Sequence, residues 1–462
     1  MSRREAAAVL ALILSGCAPS YQLPPTELPE TVSPPGTVVI ARDWWKAFGD
    51  PALDRLIDAA FAASPTLDLA VANVDAAQAR LGITGSQRLP AVNAFAGAQR
   101  QHLSRYTNPA ASGEFTAYSA NLQAFWEIDL WGRIRNEVEA SRADLLSAQF
   151  SREAVQLALS AQVAQAYFQL RSLDAQLEIT RETVVSREKS YALRDKRYSR
   201  GITSELDLRQ AESELATARA QVPDLVDAIS QAEGTLAVLC GTTPGELFGN
   251  GIPRGKGLAV IPVPPAVPEG LPSDLLLRRP DIQEAEQALR ATQARVAAAR
   301  TAWFPTIGLT GVYGGESLAI GDLFSGPARA WSFAGSLAMP VFNSGLTAAQ
   351  VDLASASERA AAATYRDTVI RAFSDARNAI TAQKQGADRV AARAQSVEAL
   401  RRQVRLATLR YDNGYSSYLE VLDAERTLFS AELALSEARR AHLAAAVDLY
   451  RALGGGWTAP PP

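Results

Sequence analysis

The chain is poor in the residues that do chemistry. Its 462 residues include only two histidines, two cysteines and two methionines. His102 and His442 stand in different segments, and neither has a metal-ligand partner at i+4 or a cysteine cluster, so a zinc-type centre lacks a ligand set. Met1 and Met339 are the only methionines, which argues against a soft-metal relay. P-loop, dinucleotide fingerprint and nucleophile elbow are all missing. Carboxylates are plentiful, but charged pairs on long helices usually form solvated faces. No enzyme and no cofactor is expected. An excess of positive charge is missing too: 46 Lys and Arg against 49 Asp and Glu give −3 and a pI near 5.7, without the basic field that nucleic acid requires. No run of eighteen apolar residues offers a membrane-spanning helix.

What is present describes a folded, exported protein. Charged residues make up 21% and hydrophobic ones 47%, outside the disordered range. The length suits about three domains or one elongated body. At the start, Arg3 and Arg4 precede the apolar run Ala6 to Leu14, the order of a secretory signal. Leu14-Ser15-Gly16-Cys17 resembles a bacterial lipobox, whose cysteine becomes residue one and is acylated; the alternative is an ordinary signal with an incidental cysteine. By the same resemblance, Ala18 in place of Asp implies sorting to the outer membrane. With Cys17 lipidated, Cys240 has no disulfide partner, and its apolar run "LAVLCGTTPG" makes it a small core residue. The proline-rich stretch that follows Cys17 reads as a tether; residues 18 to 42 could reach roughly 75 Å at about 3.1 Å each.

The chain then repeats itself. "YSRGITSELDLRQAE" at 198 returns as "YDNGYSSYLEVLDAE" at 411, an offset of 213 shared by Gly132 and Gly345, Val138 and Val351, Ser204 and Ser417, and Gly241 and Gly454. Upstream the offset is 215, as in Pro65 with Pro280, Arg80 with Arg295 and Pro90 with Pro305. A loop between Pro90 and Gly132 would absorb the two missing residues. These offsets indicate an internal tandem duplication, each copy running helix, two short segments, long helix, helix.

Between Gly132 and Gly201 there is neither Gly nor Pro, and between Gly345 and Gly414 only Gly386 interrupts. Such stretches, rich in Ala, Leu, Gln, Arg and Glu, predict continuous helices of roughly 100 Å. Apolar residues such as Ile134, Val138, Leu145, Leu159, Val163 and Leu170 recur at threes and fours, so each helix must bury its stripe against other long helices. Gly201 and Gly414 turn the chain into a return helix, with Ser204 and Ser417 as N-caps and Pro223 bending the first return helix.

The short segments have period two. In "TAYSANLQAFWEIDL", Tyr118, Leu122, Trp126, Ile128 and Leu130 alternate with polar residues, Phe125 excepted; in "WSFAGSLAMPV", Trp331, Phe333, Leu337, Met339 and Val341 alternate with small ones. That describes either lipid-facing barrel strands or half-buried strands of a soluble sheet. With "AVNAFAGAQRQHL" and "TIGLTGVYGG" the chain offers four strands. Four cannot close a membrane barrel, so insertion would require oligomerisation.

The lipobox at Cys17, "WWKAFGDPALDRLI", "FWEIDLWGRIRNEVEAS", "RYSRGITSELDLRQAESELATAR", "RRPDIQEAEQALRATQARVAAARTAWFPTIGL", "MPVFNSG" and "RYDNGYSSYLEVLDAERTLFSAEL" together resemble the TolC-like outer-membrane efflux channels, in their lipidated NodT and OprM-like branch. The resemblance covers essentially the whole mature chain. It implies a mainly α protein with a membrane β-barrel part: a homotrimer in which four strands per chain make a twelve-stranded barrel, continued by a long α-helical barrel through the periplasm of a Gram-negative bacterium. The implied plan is signal peptide 1–16, lipid-anchored tether 17–43, first repeat 44–241, equatorial segment 242–279, second repeat 280–454 and tail 455–462. On composition alone 242–279 reads as a linker.

The same resemblance implies an outer-membrane duct that accepts small molecules from a periplasmic adaptor and an inner-membrane RND-type pump, in contact with outer-membrane lipid. Adaptor contacts fall on Gly201, Ile202 and Thr203 and on Gly414, Tyr415 and Ser416, although both glycines are needed for turn geometry in any case. The gate falls on Leu419 and Asp423, four residues apart on one helical face; the first-copy counterparts are Leu206 and Gln210. Without the resemblance, Asp423 reads as an exposed helix residue near Arg426. The rival readings are the duct of a type I secretion system and a lipidated periplasmic adaptor, which usually carries one hairpin rather than two.

Overall fold

The computed structural model describes residue 23 and residues 43–106, 113–243, 245, 251–264 and 277–455. Cys17, the signal and nearly all of the tether lie outside them. Among the described residues the order is α1 (Pro51–Ala63), α2 (Pro65–Ser86), β1 (Ala91–Leu103), β2 (Gly113–Ile128), α3 (Arg133–Tyr198), α4 (Glu205–Leu239), α5 (Pro280–Arg300), β3 (Thr306–Ser317), β4 (Arg329–Ala338), α6 (Leu346–Asp412) and α7 (Tyr418–Ala452). The two long helices span 66 and 67 residues and both return helices 35, as the spacing of glycines dictates. The chain forms two compact units, and each draws on both halves of the sequence: one on Asn73–Gln149 and Glu284–Arg366, the other chiefly on Phe150–Gln283 and Asp367 onward.

Among the described residues, the first unit holds an antiparallel sheet in the order β1-β2-β3-β4, with β1 and β4 as unpaired edges. Cross-strand partners share a face, so the register fixes what each face carries. The row Ala94, Leu122, Tyr313, Trp331 and the row Val92, Ala124, Gly311, Phe333 lie on one face. Asn93, Gln123, Val312 and Ser332 form a row on the other, mainly polar face, which also carries Ser119, Asn121 and, opposite Asn121, Phe95. Phe125 does break the pattern: it stands on the polar face and leans over Gly308, 3.7 Å from the position a Cβ would take. β4 ends at Ala338, so Met339 and Val341 fall beyond the strand, because Pro340 cannot donate to a ladder.

One strand-to-helix junction is built from the motif around Gly132. Asp129 accepts the N–H groups of Ile134 and Arg135 at 3.0 and 2.7 Å, capping α3. Arg133 binds Glu127 through two nitrogens at 2.9 and 2.8 Å and also reaches Glu137, while Gly132 turns the chain at φ +80°.

The core of the second unit gathers Trp44, Phe48, Leu53 and Ile57 against Tyr167, Phe168 and Leu170 of α3, Leu236 of α4 and Leu443 and Val447 of α7. Tyr167 donates to Asp50 at 2.7 Å and accepts from the Gly255 N–H at 3.1 Å; Asp50 also accepts from Lys256 N. These bonds, with Ile252, Leu258 and Ile261 in the core, make residues 251–264 a packed element rather than the free linker that composition suggests. Cys240 is buried here, its thiol against the Leu56 carbonyl. Gly386, the lone glycine of α6, stands where any Cβ would meet the His442 ring of α7 at 2.9 Å, so close approach of two helices requires it.

Candidate functional site: the hairpin tips

Each hairpin turn closes in the same way. The Gly201 N–H donates to the Tyr198 carbonyl at 2.8 Å and the Ile202 N–H to that of Arg197 at 2.9 Å; Gly414 to Tyr411 and Tyr415 to Arg410 repeat the pattern, both at 2.9 Å. This paired bonding is the Schellman closure, which needs a left-handed residue, and Gly201 and Gly414 supply φ of +71° and +77°. The caps then diverge. Ser204 accepts the Asp207 N–H at 3.2 Å and Thr203 donates to the Asp207 carboxylate at 2.6 Å. Ser417 occupies the N-cap position as expected, but without a side-chain bond; there the Glu420 N–H goes to the Ser417 carbonyl instead. Ile202 and Tyr415 point outward with about 70 to 80% of their surface exposed, whereas the Ser416 hydroxyl is enclosed and unpartnered.

Leu419 and Asp423 stand on the exposed face of α7, opposite the buried Tyr418, Val421 and Leu422. Arg426 turns away from a simple pairing with Asp423 and bonds Glu214 of α4.

Beneath that face lies a polar cluster that periodicity does not reveal. Arg187 of α3 is 6% exposed and Glu214 9%; they pair at 3.0 Å, and Arg187 also donates to the Glu214 carbonyl at 2.7 Å. Arg194, also buried, lies over the rings of Tyr411 and Tyr418 at 4.6 and 4.2 Å, contacts worth up to about 2 kcal/mol when desolvated. Ser190 hydrogen-bonds the Tyr418 hydroxyl at 3.1 Å. Burial raises the pKa of the Glu425 carboxyl, against the pull of Arg187 and Arg194. The expectation that helix charges here are solvated therefore fails at Arg187 and Glu214, because two hairpins meet on that side.

Long antiparallel hairpins joined to a four-stranded sheet with one apolar face define a chain of the TolC-like channel class. The solved CmeC outer membrane channel of Campylobacter jejuni superposes with a TM-score of 0.89 at 25% identity, covering 96% of this chain and 95% of that one. The probable efflux pump outer membrane protein TtgC of Pseudomonas putida is 37% identical over 97% of this chain and 95% of its own length; outer membrane protein OprJ of Pseudomonas aeruginosa is 33% identical over 98% and 95%. Other relatives are named for antibiotic, solvent and cation efflux. The outer membrane efflux protein family model matches twice, at residues 56–242 and 271–455. The chain belongs to the outer membrane efflux protein family, whose members are channels rather than enzymes.

Proposed function

We propose that three copies of this chain form the outer-membrane duct of a tripartite efflux pump. The observation that carries this is the sheet: four strands with two open edges, an apolar face and a polar face. Edges are not tolerated in lipid, and three such sheets joined edge to edge give twelve strands with apolar side chains outward and polar ones lining a lumen. The two halves descend from one duplicated segment, which the double family match supports. The long helices then extend into the periplasm, and the segment 242–279, of which 244, 246–250 and 265–276 lie outside the described residues, contributes to an equatorial belt around them. Cys17 carries the lipid that anchors the protein beside its own barrel.

At the periplasmic end, Gly201, Ile202, Thr203, Gly414, Tyr415 and Ser416 meet the adaptor of an inner-membrane RND-type pump. The exposed Ile202 and Tyr415 supply apolar contact there. Leu419 and Asp423 form the gate, three Asp423 carboxylates around the axis favouring cations. Position 210 carries Gln, so the second hairpin alone provides that charge. Cargo choice belongs to the pump, in keeping with the varied cargo names among relatives of this length.

The test is twofold. Mass measurement in mild detergent should give a trimer, and a stable monomer would overturn the duct. Single-channel recording of Asp423→Ala should show lost cation preference and Leu419→Ala raised conductance; wild-type behaviour in both would remove these residues from the gate.

A further inference from the structure

The loop between β3 and β4, residues 318–328, does not stand clear of the strands. Leu323 is buried, and its carbonyl oxygen fills the space that a Cβ on Gly315 would need. Gly315 shares a face with Tyr313, and Tyr313 pairs with Leu122 and Trp331. The loop is therefore folded onto the apolar face of the sheet. Two short 3-10 turns, Ile320–Asp322 and Gly326–Ala328, shape it, and Leu318, Ile320 and Phe324 stay exposed on it.

Between this loop and the strands runs a groove of about 590 Å³. Small residues, Ala94, Ala96 and Ala120, sink its floor, and Leu122, Tyr313 and Phe324 rise around it. Its polar lining is Asn121, Ser325 and Arg329. The Arg329 guanidinium makes no ion pair among the described residues, although Asp322 lies on the same loop. Glu316 alternates onto the opposite face. An apolar groove with an unpaired guanidinium suits a ligand that combines a hydrocarbon chain with a phosphate, since Arg holds phosphate through two parallel hydrogen bonds and basic pockets at membrane surfaces select phosphorylated headgroups.

We propose that this groove binds lipid A, one acyl chain lying over Ala94, Ala96 and Ala120 and a phosphate on Arg329. The proposal rests on the reading of the apolar face as lipid-facing. The choice of lipid follows from position: β2 leads into α3 and β4 into α6, so the β3–β4 loop sits at the sheet end remote from the helices. With the helices in the periplasm, that end lies in the outer leaflet, which lipid A occupies.

Native mass spectrometry of the purified trimer with added hexa-acylated lipid A provides the test. Wild type should retain up to one lipid A per chain, Arg329→Lys most of it, and Arg329→Gln about tenfold less. Gly315→Ala, which must displace Leu323, should lose retention as well and carries the comparison if Arg329→Gln does not assemble. Unchanged retention in these last two variants would overturn the site, and equal retention of phosphatidylglycerol would overturn the assignment to lipid A. Failure of the duct reading would show earlier, as the absence of a trimer before any lipid is added.

Discussion

The guanidinium of Arg194 lies 4.2 Å from the centre of the Tyr418 ring, so a buried cation of the first hairpin is held by an aromatic residue at the foot of the second hairpin's return helix. With Arg187 and Glu214 one side and Glu425 the other, the tips are joined by charge in a dry setting, where breaking a pair costs more than removing it whole.

That asymmetry gives the first prediction. Arg187→Met leaves Glu214 with only the half-exposed Arg426, and should destabilise the protein by about 3 kcal/mol. The double variant with Glu214→Met should recover most of the loss in chemical denaturation. A double variant as weak as the single one would mean that the pair does not act as a unit.

Glu425 sets a pH dependence. Burial raises its folded-state pKa above the ordinary carboxyl value, with Arg187 and Arg194 opposing. The folded protein thus binds this proton more tightly than the unfolded chain. Its contribution is fully present below about pH 4 and declines as pH rises through the folded value. Glu425→Gln should therefore gain on wild type as pH rises across that window, measured as the difference in denaturation midpoints; a difference that shrinks would contradict the burial.

Glycines of like conformation should differ in cost. Gly201→Ala and Gly414→Ala meet open space and only the left-handed backbone penalty, about 1 to 2 kcal/mol each. Gly241→Ala adds a collision with the Ala63 carbonyl at φ +63°, and its thermal midpoint should fall further than either tip variant. Equal losses would show that backbone strain alone decides.

The two cysteines should separate by chemistry. Cys17→Ser should abolish palmitate labelling while leaving a channel that inserts. Cys240, its thiol pushed up to about 11 by burial, should resist thiol reagents at neutral pH in the native protein and react once unfolded. Rapid native labelling of Cys240 would contradict its place in the core.

Helix extent was legible in the sequence because breakers are punctuation: four glycines, at 132, 201, 345 and 414, bound the two long helices to within three residues. The strands were legible as alternation, and Phe125 stood out in the sequence as it does in the sheet. The N-cap position of Ser417 was legible too, but not that its side chain makes no capping bond, since the same residue at Ser204 does bond. The buried joint at the tips was hidden as well, because Arg187, Arg194 and Glu214 look like any solvated charges until two hairpins close over them. Gly386 read as an interruption and proves a contact, explicable only once His442 is placed beside it.

The two open edges of the sheet also bear on how channels accumulate. If three chains complete one ring, no single chain can commit to the bilayer by itself, and the rate of insertion depends on a power of subunit concentration greater than one. Halving synthesis would then cut the rate of new channel formation by more than half, while the sheets of subunits awaiting partners stay outside the bilayer core as proteolysis substrates. Expression level becomes a threshold control on the number of pores, set by the strand count of one polypeptide.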